Sequence, residues 1–150
     1  MVTVLLSPSV TAAVYAVHLK SNYGQTTEEA ARSNRTKRML SVMQLMEIVR
    51  PKRRSRKPPA PAVIAGDMNA DKWNGEAQDR AIFDLMAEAG FKDAMEGLEP
   101  GSRVTHPGRG RRNGSTLDYI MLRSLEPEGP PVVVGAEGIS DHNAIFVNLR

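Results

Sequence analysis

The order in which strand-like and helix-like segments follow one another is the feature that most restricts the fold of this chain. It begins with two runs rich in β-branched and apolar residues, Met1–Leu6 and Val10–Leu19. The Ser7-Pro8-Ser9 stretch between them has the composition of a turn. The sequence therefore predicts a β-hairpin, with His18 near the end of its second strand.

Two later segments have the periodicity of amphipathic helices. Thr26-Thr27-Glu28-Glu29 matches a capping box, and the first helix should stop before Pro51. Gln78–Ala89 predicts the second helix, with Gly90 as its C-terminal stop. The face of the first helix that we expect to pack inward is formed largely by Ala30, Met39, Val42, Met43, Met46 and Val49.

Apolar runs bounded by glycine and proline predict the remaining strands. Ala62–Ala65 lies between the two helices, and four more candidates follow the second helix, at Arg103–His106, Thr116–Leu122, Pro131–Val134 and Asn143–Leu149. The resulting order is ββαβαββββ, which predicts an α/β layered domain whose sheet packs on helices. With 150 residues, the chain is long enough for one domain with a single hydrophobic core.

Composition and charge narrow the classes of function. The absence of cysteine excludes disulfides, thiolate metal sites and a cysteine nucleophile, but leaves the compartment undetermined. No apolar run reaches the roughly 18 residues that span a bilayer, so we expect a soluble chain without a transmembrane segment. Residues 1–60 carry 11 Lys and Arg against 3 Glu, whereas residues 61–150 carry 9 against 14 acidic residues. This asymmetry fits a polyanionic partner, although a solvated charged surface would give a similar count.

Four short segments carry the residue types needed for chemistry, because each leaves an apolar strand and presents a carboxylate, a carboxamide or an imidazole. Oxygen ligands such as those of Asp and Asn suit a hard cation like Mg²⁺, which binds phosphate oxygens and keeps several waters. Histidines beside them can move protons near neutral pH. Together these groups suit phosphoester hydrolysis. The segments are His18-Leu19-Lys20-Ser21, Gly66-Asp67-Met68-Asn69, Leu117-Asp118-Tyr119 and Ser140-Asp141-His142.

Each segment also has a structural interpretation when it is taken alone. Asp67 and Asn69 have the composition of a turn at a strand end, and His18 could be a satisfied histidine at the end of a strand. Asp118 differs, because its apolar and aromatic neighbours place it within a strand, where an unpaired buried carboxylate is costly. It therefore needs a partner, and we predict a hydrogen bond between Asp118 and His142.

In this order, the four segments resemble those of the endonuclease/exonuclease/phosphatase superfamily, which includes deoxyribonucleases, abasic-site endonucleases, sphingomyelinases and inositol-phosphate phosphatases. The resemblance implies a divalent-metal-dependent phosphodiester hydrolase, here expected to be a nuclease. It implies a layered sandwich in which a mostly antiparallel mixed sheet packs on helices. It also implies that residues 1–150 form a single partial domain, which corresponds to the C-terminal half of the four-layer deoxyribonuclease-like fold.

The resemblance assigns the metal site to residues of the second and fourth segments. Asp141 would bind Mg²⁺ or Mn²⁺ directly, while Asp67 and Asn69 would hold the attacking water and the phosphate or contact a second metal ion. The family's principal metal-binding glutamate and an asparagine lie upstream of its His-Leu-Lys-Ser segment and have no counterpart here. We therefore expect this chain alone to bind the metal weakly. We also expect an N-terminal half-domain, or self-association, to cover an exposed face of its sheet.

The resemblance also assigns the groups that move protons. His142 would be the base that activates the attacking water, and Asp118 would orient and charge-stabilise its imidazole. His18 would donate to a phosphoryl oxygen or to the leaving group. The reaction implied is a metal-assisted in-line displacement, in which fixed dipoles and His18 stabilise the growing negative charge.

Two basic clusters bear on the substrate. Arg109, Arg111 and Arg112 precede the strand of the third segment, where they could bind the backbone of a nucleic acid substrate. The Arg50–Pro61 segment packs six basic residues and four prolines into twelve positions, which predicts an exposed loop. This loop could equally be a solvated linker that needs no partner.

The sequence leaves the substrate and the catalytic competence open. DNA, RNA, phospholipids and sugar phosphates all present the phosphate on which the four segments act. Trp73 or Tyr23 could stack on a base or contact a lipid headgroup. The alternative to an enzyme is a non-catalytic remnant of the fold, which binds nucleic acid or protein without hydrolysing it.

Overall fold

The strands and helices follow the predicted order, and most of their bounds fall close to the expected ones. The structure, a computed structural model, describes residues 1–7, 10–49, 58–108 and 113–149. Its elements are β1 (Val2–Ser7), β2 (Val10–His18), α1 (Glu28–Val49), β3 (Ala62–Asp67), α2 (Ala77–Glu88), β4 (Lys92–Asp93), a 3-10 helix (Pro100–Arg103), β5 (Asp118–Arg123), β6 (Val132–Val134) and β7 (Ala144–Phe146). The predicted hairpin and both predicted helices are confirmed.

Five strands form one sheet in the order β1-β2-β3-β5-β4, and β6 and β7 form a second, two-stranded sheet. Strands β2 and β3 run parallel, while the other neighbouring strands in the described residues are antiparallel. The sheet is therefore mixed and mostly antiparallel, as expected. A parallel pair needs a crossover connection, which contains α1. Because β5 runs against β3, its first residue lies at the same edge as the last residues of β2 and β3.

Both helices cover one face of the five-stranded sheet, where the larger apolar cluster lies. Val42 and Met46 of α1, Ile82 and Met86 of α2, and Ile64 of β3 belong to this cluster, and each is at most 1% exposed. Burial of one such side chain stabilises a fold by roughly 1.5–3 kcal/mol. A smaller cluster lies on the opposite face of the sheet. Its members Ala12, Val63 and Leu122 alternate along the strands with residues of the larger cluster, and Leu125 follows β5.

Helix α1 buries two polar residues that its hydrophobic pattern did not predict. Arg38 is fully buried, and its guanidinium donates to a carboxylate oxygen of Asp79 in α2 at 2.5 Å and to the carbonyl oxygen of Lys20 at 2.7 Å. Asn34 likewise donates to the loop after β2. Met43, expected on the packed face, is instead half exposed. Arg38 therefore connects both helices to this loop. Breaking such a buried ion pair costs roughly 3–5 kcal/mol of stability.

The segment Arg103–His106 is not a strand, so that prediction was wrong. Arg103 ends the 3-10 helix, and His106 makes an isolated β-bridge. The physical reason lies in side-chain hydrogen bonds. The hydroxyl of Thr105 accepts two backbone N–H groups, and the hydroxyl of Thr116 donates to the carbonyl oxygen of Arg103 at 2.8 Å. The strand that follows α2 is instead β4, whose two residues are too few to show a pattern.

Apolar side chains are exposed on β1 and on the outer face of the two-stranded sheet. Val2 and Leu5 of β1 are 64% and 66% exposed. Val132 of β6 and Phe146 of β7 are 53% and 60% exposed, while Val133 points to the other side and packs against the larger cluster. These exposed side chains lie on the edge strand β1 and on the two-stranded sheet, whereas the opposite face of the five-stranded sheet holds the smaller buried cluster, so its cover by a half-domain or by self-association stays a prediction.

Two remaining expectations concern the basic loop and the membrane. Of the predicted loop at residues 50–61, residues 50–57 lie outside the described residues, and residues 58–61 have no regular secondary structure. No helix in the described ranges combines the length and the apolarity needed to cross a membrane.

Candidate active site

Three strand ends meet at one edge of the five-stranded sheet, and each presents a polar side chain there. His18 and Asp67 are register partners at the ends of parallel strands β2 and β3, and Asp67 is level with Asp118 at the start of antiparallel β5. Gly66 permits the close approach of β2 and β3. Its φ is +137°, and a Cβ there would lie 2.0 Å from the carbonyl oxygen of Val17. The topology thus brings together side chains that lie far apart in the sequence.

The turn after β3 fixes Asp67 and Asn69 against each other. The backbone N–H of Asn69 donates to Asp67 Oδ1 at 2.7 Å, and its side-chain amide donates to Asp67 Oδ2 at 2.8 Å and to the carbonyl oxygen of Leu19 at 3.0 Å. Asn69 has a φ of +49°, a left-handed conformation that Asn adopts more readily than most residues. Both amide protons are used within the protein, so the amide oxygen is the group left for a ligand. Asp67 and Asn69 therefore do form a turn, and the same turn presents ligand atoms.

His142 and Asp118 form the hydrogen bond that the sequence predicted. His142 Nδ1 lies 2.7 Å from Asp118 Oδ2, and the two side chains are 27% and 21% exposed. A carboxylate at Nδ1 favours a proton on that nitrogen, so Nε2 is the nitrogen that can accept a proton from a substrate or a water molecule. The backbone N–H of His142 also donates to Ser140 Oγ at 3.0 Å. This arrangement is that of a base held in orientation by a carboxylate.

The charges in this cluster shift two pKa values. Burial raises the pKa of the Asp67 carboxyl, the N–H of Asn69 opposes this shift, and the neighbouring Asp118 carboxylate raises the pKa further. Burial alone would lower the pKa of His142, but the hydrogen bond and the charge of Asp118, with the charges of Asp67 and Asp141, raise it above the usual histidine value. The Asp118 carboxylate contributes to both pKa shifts, and a proton or a cation would offset its negative charge.

Asp67, Asp118 and His142 also form a group that could hold a metal ion, as found among the described residues. One ligand atom from each lies within 4.8 Å of the other two. The Asp67 and Asp118 carboxylates repel each other, which adds to the effect of burial in raising the pKa of Asp67, and a divalent cation would relieve this repulsion. The residues present therefore fit a hard divalent cation. Asp67 and Asn69 could face the ion while Asp118 remains bonded to His142.

His18 and Asp141 belong to the same region but are held less firmly. His18 Nε2 lies 3.6 Å from Asp67 Oδ2, beyond a good hydrogen bond, and its side chain is 77% exposed. Asp141 lies in the exposed loop before β7, next to His142, and is not one of the three residues of the compact group. Its role as a direct metal ligand stays a prediction. Outside the described residues lie the predicted phosphate contacts Arg109, Arg111 and Arg112.

The two aromatic residues considered for stacking differ in their surroundings. The guanidinium carbon of Arg103 lies 3.7 Å from the centroid of the Trp73 ring, and the ring of Tyr119 stacks on Trp73 with centroids 5.8 Å apart. Tyr23, in the loop after β2, is 93% exposed. Trp73 therefore packs within the fold, whereas Tyr23 is open to a ligand.

The residues that support the Asp118–His142 pair were not predicted from the sequence. The hydroxyl of Thr105 accepts the backbone N–H of Asp118 at 3.0 Å, and the ring of His106 packs edge-on against His142 with centroids 4.9 Å apart. The backbone N–H of Asn143 donates to the carbonyl oxygen of Thr105 at 2.6 Å. Thr105 and His106 fell within a wrongly predicted strand, and nothing in the local pattern distinguishes them from ordinary strand residues.

Solved structures share this fold. An endonuclease/exonuclease/phosphatase from Beutenbergia cavernae matches 99% of the chain, with a TM-score of 0.72 and 19% identity. TDP2 of D. rerio, complexed with a single-strand DNA product, matches 94% with a TM-score of 0.61 and 22% identity. The endonuclease domain of TRAS1, a telomere-specific non-LTR retrotransposon, matches 94% with a TM-score of 0.52 and 18% identity. The chain spans 38%, 56% and 57% of these three structures, respectively.

Comparison at the level of sequence gives two results. No curated protein matches the chain. The sequence profile described as the endonuclease/exonuclease/phosphatase family matches residues 4–142, a stretch that includes all four segments identified from the sequence and ends at His142. The profile thus covers most of the chain, and the fold agrees with it. The chain therefore belongs to the endonuclease/exonuclease/phosphatase family.

Proposed function

We propose that this protein is a divalent-metal-dependent phosphodiester hydrolase that acts as a nuclease. The observation that carries the proposal is the 2.7 Å contact between His142 Nδ1 and Asp118 Oδ2, which lies beside the Asp67 carboxylate. A general base must be held in orientation near the water that it activates. Transfer of a phosphoryl group also needs positive charge and fixed dipoles around the phosphate. The family membership supports the same class of reaction.

In the proposed mechanism, Nε2 of His142 takes a proton from a water molecule as the water oxygen forms a bond to phosphorus. The bond between phosphorus and the leaving oxygen breaks on the opposite side, in line with the attack. Asp118 holds the imidazole through Nδ1 and stabilises the imidazolium that forms. His18, at the same edge of the sheet, would donate to the leaving oxygen or to a phosphoryl oxygen.

Asp67, Asn69 and Asp141 are the residues that would hold Mg²⁺ or Mn²⁺. Asp67 and Asn69 form one turn, and the bonds of the Asn69 amide protons leave its oxygen for the ion or for the phosphate. Asp141 is exposed beside His142 and would add a second carboxylate. The cation would supply charge stabilisation for the phosphate during attack. Asp118 is bonded to His142 and so would act through the imidazole.

A nucleic acid is the substrate that we propose. Two structures that share the fold are a single-strand DNA product complex of TDP2 and the endonuclease domain of TRAS1. The chain carries a formal net charge of +3, and Arg109, Arg111 and Arg112 would meet the phosphate backbone. Tyr23 is 93% exposed and would stack on a base.

We also propose that residues 1–150 alone form a weak enzyme and that an N-terminal half-domain completes it. The chain covers between 38% and 57% of the three structures compared with it. Exposed apolar residues lie on β1, at Val2 and Leu5, and on the two-stranded sheet, at Val132 and Phe146. An N-terminal half-domain would cover this surface, and without one the chain would associate with itself.

The test is a cleavage assay on plasmid DNA, an abasic duplex, RNA and sphingomyelin. Each substrate is incubated with Mg²⁺ and with a chelator, and the chain is used alone and with the N-terminal half-domain of a related family member. We expect Mg²⁺-dependent cleavage of nucleic acid that is weak for the chain alone and stronger with the half-domain. Cleavage of sphingomyelin but of no nucleic acid would support the proposal of a hydrolase and reject the proposal of a nuclease.

The non-catalytic alternative predicts a different outcome of the same assay. Nucleic acid would then bind, as seen by a shift in its electrophoretic mobility, but would stay intact with Mg²⁺ and with the half-domain present. Robust cleavage by the monomeric chain alone would reject the need for a partner, because residues 1–150 would then suffice.

A further inference from the structure

One buried hydroxyl bonds to the strand that carries Asp118. Thr105 is fully buried, and its Oγ1 accepts the N–H of Leu117 at 2.9 Å and the N–H of Asp118 at 3.0 Å. Two donors on one hydroxyl oxygen use both of its acceptor positions. The start of β5 is therefore fixed to Thr105 at the residue whose carboxylate bonds to His142.

Residues 104–106, which we call the brace, also bond to the loop that carries His142. Asn143 donates twice to the brace. Its backbone N–H donates to the carbonyl oxygen of Thr105 at 2.6 Å, and its side-chain amide donates to the carbonyl oxygen of Val104 at 2.9 Å. Because Asn143 directly follows His142, these two bonds fix the backbone beside the imidazole.

We propose that Thr105 is a positioning residue that sets the separation of Asp118 and His142, and through it the tautomer and the orientation of the imidazole. Asp118 begins a strand and His142 lies in a loop, so their 2.7 Å contact depends on how these two elements are held together. The brace bonds to both. The ring of His106, at the end of the brace, adds an edge-on contact with His142. The catalytic consequence rests on the proposed function, whereas the geometric claim rests on these contacts.

Three substitutions separate the hydroxyl from the volume of the side chain. Thr105→Val keeps the shape but leaves the two N–H groups of the strand without their acceptor. Thr105→Ser keeps the hydroxyl. Thr116→Val is the matched control, because Thr116 is also buried and its hydroxyl donates to the carbonyl oxygen of Arg103 rather than bonding to the N–H of Asp118.

The test observes the ring nitrogens of His142 by long-range proton–nitrogen NMR, at a pH where the imidazole is neutral. In the parent chain, and also in the Thr105→Ser and Thr116→Val variants, we expect the His142 tautomer with its proton on Nδ1, which the bond to Asp118 imposes. In Thr105→Val we expect a shift towards the Nε2–H tautomer that predominates in free histidine. An unchanged Nδ1–H tautomer in folded Thr105→Val would overturn the proposal.

If Thr105→Val does not fold, a second variant tests the proposal. Asn143→Ala removes one bond to the brace from a partly exposed side chain, so a mixture of the two His142 tautomers would support the proposal, and the pure Nδ1–H form would overturn it.

Cleavage is measured on the same variants. With a misplaced base, we expect a fall of about tenfold to a hundredfold in Thr105→Val and full rescue in Thr105→Ser. If Thr105→Val shifts the tautomer but no preparation, including the parent chain, cleaves nucleic acid, the positioning role of Thr105 is supported and the proposed hydrolase activity is rejected.

Discussion

The two sides of the candidate active site are held very differently. On one side, Asp118 and His142 contact each other at 2.7 Å, and Thr105 fixes the backbone of Asp118. On the other side, His18 lies 3.6 Å from the nearest carboxylate oxygen with 77% of its side chain exposed, and Asp141 is exposed in a loop. The groups that would move the proton are therefore in place before a substrate binds, whereas the groups that would contact phosphate and metal are open to solvent.

This difference separates two tasks. A base that is already oriented needs little reorganisation when the reaction occurs, so its loss should reduce the rate steeply. An exposed side chain becomes ordered by its ligand, so its loss should have a smaller effect. Asp67 lies between these cases, since it is half-buried in a turn and also belongs to the group that could hold a metal ion.

The largest effect is expected on the side of the site that contains Asp118 and His142. His142→Ala removes the nitrogen that would accept the proton from water, and we expect the rate of Mg²⁺-dependent cleavage to fall by about a thousandfold. The rate is measured on the preferred nucleic acid substrate at saturating Mg²⁺. The matched control is His106→Phe, which keeps a flat ring against His142 and should lose less than about tenfold. Losses of equal size in the two variants would mean that packing of the rings, rather than proton transfer, limits the reaction.

A smaller effect is expected where the two sides meet. Asp67→Asn removes a negative charge from the group that could hold the metal ion, so we expect a loss of about a hundredfold in rate at limiting Mg²⁺, partly restored by more Mg²⁺. The control is Asp71→Asn, because Asp71 accepts the backbone N–H groups of Trp73, Asn74 and Thr116 and so has a structural role. It should lower the melting temperature without changing the Mg²⁺ dependence. An altered Mg²⁺ dependence in both variants would refute the assignment of the metal to Asp67.

The smallest of these effects is expected on the exposed side. His18→Gln keeps a polar side chain at the end of β2 but removes the titratable donor, so we expect a loss of about tenfold in kcat. The melting temperature should not change, because most of the side chain lies in solvent. A thousandfold loss would place His18 on a level with His142 and would break the distinction between the two sides.

The sequence predicted the parts of the site that follow from strand order and burial. Asp118 sits among apolar strand residues and required a partner, which His142 is. His18 and Asp67 follow apolar runs, and because β2 and β3 are parallel their C-terminal ends meet at one edge of the sheet. Gly66, which begins the second of the four segments, is needed because β2 passes so close to it.

The parts that could not be predicted depend on long-range polar contacts. Arg38 was expected on no packed face, but it is buried because the loop after β2 and Asp79 supply its acceptors. Thr105 supports the pair through its hydroxyl rather than through a strand ladder, so neither hydrophobic alternation nor turn composition marks it. Trp73 was considered for stacking on a base, but the fold packs it against Arg103 and Tyr119.

The central claim is that Asp118 orients His142 as the general base. The pH dependence of Mg²⁺-dependent cleavage tests this claim most directly. His142 must be neutral to accept a proton, so the rate should rise as the pH increases through its pKa. Asp118 raises that pKa above the ordinary histidine value, so the parent protein should gain activity at a higher pH than an unperturbed histidine would allow. In Asp118→Asn the rise should move to lower pH, and the plateau rate should fall by about a hundredfold. A rise at the same pH in both proteins, or an undiminished plateau, would contradict the account.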